Sequence, residues 1–418
     1  MTTPAFDRTF KDVSVLSDLA GFYEMANILQ LSDEEISARA AALKESFMPF
    51  KVTEYYAQLI AGQSLGYKTQ MLNIVSPPPC DKKPFKGRFD PYGNKSYRQD
   101  DRAFLQHKYD PTLLLHIDNF CISNCQFCYK VNEIRHETVR SASVDEKVDM
   151  ALAYLSLNPE VNNVLFTGGD PAAFRRTEDL VNLIGRLIAH PNIRVVRFAT
   201  KGLAYDPERF LDPKLLAFFN DVNNRPGKQV SIIAQINHPG EMSPVSCEAL
   251  AALRSVGVQV RGQPALIRGV NDDPETLVDL QRKYLDNQII SYYLTIFMPV
   301  RGVEQYALPL DEAFKRVTVA KRKLSGLEKK GVLLSSHDFG KFEVCGFYPS
   351  SESPDKIVLK WHQAARSKYL PQRLKDEVGA QPEDLLILNY LKGEVYCIDH
   401  LFKFNGLPFY DSDGNLQE

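Results

Sequence analysis

A chain of 418 residues with 44% apolar and 24% charged side chains has ordinary globular composition and enough apolar material for a substantial core, which excludes general disorder. Its 50 basic and 52 acidic residues give a formal net charge of −2, so charge gives no reason to expect nucleic acid or an anionic membrane as a partner. The opening MTTPAFDRTF lacks the apolar segment and cleavage pattern of a signal peptide, and no apolar run reaches the roughly 18 residues of a membrane span, so a cytoplasmic protein is expected.

Residues 1 to about 105 read as a separate, mostly helical region. SDEEISARAAALKESF (32–47) opens with Ser32 and has Glu35 at the third position after it, a capping box ahead of a helical pattern. VTEYYAQLIAGQ (52–63) reads as another helix. The stretch 76–102 is polar and rich in proline, glycine and charge, as expected of a long surface connection that wraps or covers another part of the fold.

From Thr112 the pattern changes. LLLHIDNF (113–120), NVLFTGG (163–169), RVVRFAT (194–200), QVSIIAQINHP (229–239), VQVRGQPALI (258–267) and SYYLTIFMP (291–299) are compact strand candidates. Helix candidates lie between them at 144–157, 177–190, 245–257 and 274–286. This alternation predicts parallel β/α units. No Rossmann glycine fingerprint follows the first strand, so the expected fold is α/β, a partial or complete parallel β/α barrel over 106–350. A seventh strand candidate within 331–349 is followed by Asp338 and Lys341. Residues 351–418 are expected to form a small α/β appendage that packs on the barrel or meets a second subunit of a homodimer.

Polar residues gather within or after the apolar runs: Asp118, Thr167, Gly168, Gly169, Asp170, Lys201, Gln235, Asn237, His238, Gln263 and Arg268. Barrel active sites lie at the carboxyl ends of strands. The seven cysteines are Cys80, Cys121, Cys125, Cys128, Cys247, Cys345 and Cys397. An odd number with three clustered argues against a disulfide framework. Cys121, Cys125 and Cys128 put three soft thiolates on one short loop, which suits an iron–sulfur cluster. Three ligands on a four-iron cluster leave one iron open to chelate a small molecule with an amine and a carboxylate. Spacing alone leaves structural zinc and unliganded core cysteine as alternatives. Zinc wants four protein ligands, and the nearby His107 and His116 lack the usual finger spacing.

The C-x3-C-x2-C pattern after the first barrel strand, with Thr167-Gly168-Gly169-Asp170-Pro171 ending the next, resembles the radical S-adenosylmethionine (SAM) superfamily. That resemblance implies a [4Fe–4S] cluster on Cys121, Cys125 and Cys128. It implies that the open iron binds the methionine moiety of SAM, whose reductive cleavage yields a 5′-deoxyadenosyl radical. Gly168, Gly169 and Asp170 are then expected beside the methionine amine.

The segments 113–130, 164–171, 236–241, 266–273 and 291–299 more narrowly resemble, in order, those of lysine 2,3-aminomutase-like enzymes. The resemblance spans about 100–362 and implies pyridoxal phosphate (PLP), with Lys341 of His337-Asp338-Phe339-Gly340-Lys341 as the lysine that holds it. It also implies cofactor contacts at Gln235, Asn237, His238, Gln263 and Arg268, substrate-facing roles for Lys130 and Asp338, and a cellular one-electron reductant. Lys130 stands where those enzymes have an arginine for the substrate carboxylate, and Lys108 and Thr112 replace two other arginines. Met298 falls where lysine-specific members have an aspartate for the distal ammonium. The expected function is therefore a SAM- and PLP-dependent 2,3-aminomutase acting on an α-amino acid other than free L-lysine. The alternatives are a PLP-independent radical epimerase or dehydratase on the same scaffold, and a non-enzymatic iron–sulfur sensor.

Overall fold

The computed structural model describes residues 13–79, 87–99, 104–136, 143–173, 176–349, 354–366, 368, 370, 385–395, 398–410 and 416–417. Cys80, Cys397 and parts of the 76–102 and C-terminal stretches lie outside the described residues.

The N-terminal region contains β1 (Val15–Ser17), α1 (Asp18–Leu29), α2 (Asp33–Glu45), β2 (Lys51–Thr53), α3 (Glu54–Ala61) and α4 (Leu65–Val75). Two side chains start helices here: Ser32 accepts from the Glu35 N–H at 3.2 Å, and Thr53 from the Tyr56 N–H at 3.3 Å. The strands β1 and β2 pair antiparallel, and each is too short for an alternating pattern to show in the sequence. The region does not stand apart as expected. Phe22, Val52, Tyr56, Ile60 and Ile74 share one apolar core with Ile122, Phe127, Tyr205, Phe297 and Tyr306 of the barrel.

The barrel begins with β3 (Leu105–Tyr109) and β4 (Thr112–Asp118), an antiparallel pair. The next elements are α5 (Val131–His136), α6 (Val144–Leu157), β5 (Asn163–Gly168), α7 (Thr177–Ala189), β6 (Val195–Thr200), α8 (Gly202–Tyr205), α9 (Pro213–Asn223), β7 (Gln229–Ala234), α10 (Pro244–Ser255) and β8 (Gln259–Gly262). The strands β4 to β8 are parallel in chain order. On β6, Val196 and Phe198 are buried in the apolar core, and Val195, Arg197 and Ala199 point the other way, toward the barrel interior. The helix α7 buries Leu180, Leu183, Ile184, Leu187 and Ile188, a stripe at helical spacing that covers the outer face of the sheet. Burying one such side chain stabilises by about 1.5–3 kcal/mol.

Two strands then break. After β8 comes β9 (Ala265–Leu266), then α11 (Pro274–Asp286), β10 (Ile290–Ser291) and β11 (Tyr293–Ile296). The pair β8–β10 ends one sheet, and β9–β11 starts the other. Pro264 has no N–H for the ladder, which accounts for the break between β8 and β9. The helix α12 (Leu310–Arg322) leads to β12 (Val332–His337), parallel to β11.

The segment 331–349 holds two strands where the sequence suggested one. A tight turn at Asp338-Phe339 sends β13 (Gly340–Tyr348) back antiparallel to β12. The strands β14 (Asp355–Ala364) and β15 (Leu385–Tyr390) extend the same sheet, so the described C-terminal part is built into the barrel wall instead of hanging from it. Beyond β14 the chain reaches the first edge, where the Arg366 N–H donates to the Lys108 carbonyl at 2.9 Å and closes the barrel. Residues 87–99, expected at the surface, are partly buried across one end. Arg88 forms a bridge with Val300, and Arg88 and Tyr97 are buried. Among the described residues no helix is long and apolar enough to cross a membrane.

Candidate active site

The loop after β4 carries Cys121, Cys125 and Cys128, all free and half-buried. The N-terminal region shapes this loop through its backbone. The Asn124 N–H donates to the Lys51 carbonyl and the Gln126 N–H to the Ile74 carbonyl, both at 2.8 Å. The Ser123 hydroxyl accepts from the Thr53 N–H at 2.9 Å. Burial pushes all three thiols up, Cys125 to about 12 and Cys128 to about 11. Cys121 also senses the charges of Asp170, Cys128 and Cys125, so the three sulfurs share one neighbourhood. A cation opposes the rise at each: Lys51 at Cys121, Lys201 at Cys125 and Lys130 at Cys128. Buried thiols of this kind exchange the proton for a metal charge on loading.

This donor set fits an iron–sulfur cluster held by three thiolates. Structural zinc would want a fourth protein ligand, and the two nearby histidines are otherwise engaged. His107 is engaged by the Tyr154 hydroxyl and the Asp110 carbonyl, and His116 by Gln106 and Lys130.

The Gly-Gly-Asp-Pro turn follows β5. A Cβ on Gly169 would stand 1.9 Å from the Phe120 carbonyl oxygen, so only glycine lets this turn lie against the cysteine loop. The Asp170 N–H donates to that same carbonyl at 2.9 Å. The Asp170 carboxylate accepts from Ala172 N–H (2.9 Å), Thr200 hydroxyl (2.5 Å) and Lys201 N–H (2.8 Å). Burial raises its pKa against these bonds. It thus ties the ends of β5 and β6 beneath the loop.

A second hub was missed in the sequence. Glu241 is fully buried and accepts from Lys201 Nζ at 2.5 Å, Tyr56 Oη at 2.7 Å, Asn237 N at 2.6 Å and His238 N at 3.2 Å. Asn237 and His238, expected near a cofactor, belong to this hub. Asn237 Oδ1 accepts from the Ala265 N–H at 2.9 Å. His238 Nδ1 accepts from the Gly240 N–H at 3.0 Å, so its Nε2 carries the proton and donates to Gln70 Oε1 at 2.9 Å. Burial, with Lys201 and Lys283 nearby, holds this imidazole at about 3, hence neutral. Gln235 supplies its carbonyl to Lys201 Nζ at 3.0 Å.

Across the barrel, Lys341 is the second residue of β13. Gly340 precedes it at φ +146°, and a Cβ there would stand 2.1 Å from the Gln363 carbonyl. Lys341 Nζ donates to Gln363 Oε1 at 3.2 Å and lies 4.9 and 5.2 Å from the ring centres of Tyr109 and Tyr293. Burial, then the charges of Arg197 and Lys108, push its amine down to about 8. Arg197 rises from β6 and donates to Asn163 Oδ1 at 2.8 Å and Thr112 Oγ1 at 3.5 Å. An amine of lowered pKa, two aromatic walls and nearby cations fit a phosphorylated aldehyde cofactor.

Lys130 is buried beside the cysteines and donates to Thr167 Oγ1 at 3.1 Å, with His116 Nδ1 at 3.3 Å. Lys108 donates to the carbonyls of His337 (2.6 Å) and Tyr92 (2.9 Å), so it tethers the 87–99 segment. Asp338 is buried and paired with Arg88 at 3.1 Å. Met298 is fully buried in the apolar core around β11 and β12. Gln263 is half-buried where β8 breaks, and its N–H donates to the Ala234 carbonyl. Arg268 is exposed, with Nε donating to the Ala307 carbonyl at 2.9 Å.

The family model "Radical SAM superfamily" matches residues 116–280. A putative L-lysine 2,3-aminomutase of Aquifex aeolicus (strain VF5) is 30% identical over 317 residues, 76% of this chain and 81% of that protein. The L-lysine 2,3-aminomutase of Escherichia coli (strain K12) is 30% identical over 210 residues, 50% of this chain and 58% of that protein. The glutamate 2,3-aminomutase of Clostridioides difficile (strain 630) is 24% identical over 312 residues, 74% of this chain and 70% of that protein.

Proposed function

This chain belongs to the lysine 2,3-aminomutase-like family of radical SAM enzymes, and on that premise we propose that it moves the amino group of an α-amino acid to the neighbouring carbon with the help of pyridoxal phosphate. When bound, the [4Fe–4S] cluster and SAM supply a carbon-centred radical through one-electron cleavage of a carbon–sulfur bond. When bound, PLP supplies a conjugated ring that delocalises an unpaired electron beside nitrogen.

The observation that carries the reading is Lys341. With its amine at about 8, about a tenth is neutral at pH 7, against about three in ten thousand for an ordinary lysine. Such a neutral amine can hold the cofactor at Nζ and later carry a proton there. Arg197 is within electrostatic reach of Nζ and suits the cofactor phosphate. Lys130, beside the cysteines, suits the substrate carboxylate as a point charge instead of a fork.

The same residues argue against free L-lysine as substrate. Arg197 and Lys341 donate to neutral groups, and the charges of Arg197 and Lys108 push the Lys341 amine down, so the surroundings of Lys341 are rich in positive charge. Asp338 is already neutralised by Arg88, and Met298 is core. A second ammonium on the substrate would meet cations and no free carboxylate among these residues. A neutral or acidic side chain suits the site better.

The test is borohydride reduction of anaerobically prepared, cluster-loaded protein supplied with PLP, followed by peptide mass spectrometry. The expected result is a pyridoxyl group on Lys341. NMR with SAM, a reductant and a panel of amino acids is then expected to detect a β-amino acid. A loaded cluster with no adduct at Lys341 would sink the proposal and favour a PLP-independent radical reaction.

A further inference from the structure

Tyr205 ends α8 and is 2% exposed. Its hydroxyl lies 3.0 Å from Cys125 Sγ, and among the described residues that sulfur is its one hydrogen-bond partner. The ring is held on several sides. Tyr56 meets it edge-on at 4.7 Å between centres, and Lys201 Nζ stands 5.2 Å from its centre. The Tyr205 carbonyl accepts from Thr53 Oγ1 at 2.8 Å. The hydroxyl therefore cannot leave the sulfur without disturbing a packed shell.

An iron-bound thiolate carries no proton and can only accept. The bond then has one direction, from the Tyr205 O–H to Cys125 Sγ. We infer that Tyr205 is a positioning residue that raises the reduction potential of the cluster through this bond, and that the Thr53 hydroxyl and the Tyr56 ring of the N-terminal region hold it in place. The affected step is the gain of one electron by the cluster from an external low-potential one-electron donor, with no bond or proton changing at Tyr205. The added negative charge spreads onto the sulfurs, and a donor aimed at one of them stabilises the reduced form more than the oxidised form. The inference depends on the cluster alone and is independent of PLP and of the rearrangement proposed above.

The experiment compares anaerobically reconstituted wild type, Tyr205→Phe and Tyr56→Phe by iron content and by potentiometric titration of the reduced cluster, read by electron paramagnetic resonance. Tyr205→Phe should load the same iron and titrate at a more negative potential. About a tenfold change in the reduction equilibrium is expected, which is 59 mV for one electron. Tyr56→Phe keeps its ring and gives up a hydroxyl that serves Glu241, so its midpoint should stay at the wild-type value. Placing 3-fluorotyrosine at position 205 retains the ring and strengthens the donor, so the midpoint should move the opposite way. That variant decides the matter if Tyr205→Phe loses its cluster. An unchanged midpoint in a loaded Tyr205 variant, or an equal shift in Tyr56→Phe, would overturn the inference.

Discussion

Replacing Glu241 by glutamine tests whether the buried hub holds the site together. Both carboxylate oxygens are used: one takes Lys201 Nζ and Tyr56 Oη, the other the N–H groups of Asn237 and His238. Glutamine keeps the shape, but its amide N–H2 must face donors on whichever side it turns. It also leaves the Lys201 ammonium, 6% exposed, without its anion. Removing one partner of a buried pair costs about 3–5 kcal/mol, and a buried N–H left without an acceptor about 1–3 kcal/mol. These effects overlap, so about 4 kcal/mol is expected for Glu241→Gln, a large part of the ~5–15 kcal/mol that stabilises a typical domain. Urea unfolding would be followed by far-UV circular dichroism and by the fluorescence of the single tryptophan, the buried Trp361. The midpoint should fall with little change in slope. Adding Lys201→Met removes the stranded cation, so the double variant should lose less than the sum of the singles, by roughly 0.5–3 kcal/mol. A Glu241→Gln protein within about 1 kcal/mol of wild type, or strict additivity with Lys201→Met, would refute this account of the hub.

With its amine held at about 8, Lys341 should show half-maximal borohydride-trappable PLP attachment near pH 8, far below the range of an ordinary lysine. Between the lowered folded value and the ordinary unfolded one, the unfolded chain binds more protons, so the cost of burying Lys341 shrinks as pH rises through that window. Lys341→Met should therefore stabilise the cofactor-free protein at pH 7, by up to about 3 kcal/mol, and have no such effect above the ordinary lysine pKa, as urea midpoints at the two pH values will show. Arg197→Met removes one of the charges that depress this amine, so the attachment midpoint should move up in pH and PLP retention on gel filtration should fall. Gly169→Ala would put a Cβ against the Phe120 carbonyl, so iron bound per chain after reconstitution should drop well below wild type. Normal loading would show that the turn and the cysteine loop can move apart.

Local chemistry was the legible part. The cysteine trio, the Gly-Gly-Asp-Pro turn and the strand–helix alternation are short-range patterns, and the parallel wall from β4 to β8 follows them. Lys341 was legible as a residue but not as a position, because two strands with a tight turn read as one apolar run. Glu241 lies in the same short segment as Asn237 and His238, and nothing in its sequence neighbourhood marks it out. What makes Glu241 central is Lys201 and Tyr56, which are distant in sequence and meet it only after folding. The 87–99 segment looked like solvent-facing loop because its residues are polar. Their polar groups are satisfied inside, as in Arg88 with Asp338 and Asn94 with Gln106. The role of the N-terminal region was illegible for a related reason. Its grip on the cysteine loop runs largely through backbone groups, which every sequence possesses.

The break at Pro264 and the gap between sheet edges that the Arg366 bond spans have a shared geometric consequence. They are two interruptions in the hydrogen-bonded wall, and they divide it into two arcs. The cysteines, Asp170 and Lys201 are on one arc, and Lys341 with its hairpin is on the other. The gap between the cysteine loop and Lys341 is therefore set by how the arcs sit together, as the opening of a pair of calipers is set by its pivot. Relative rotation of the arcs would alter that gap while leaving every strand ladder within each arc intact.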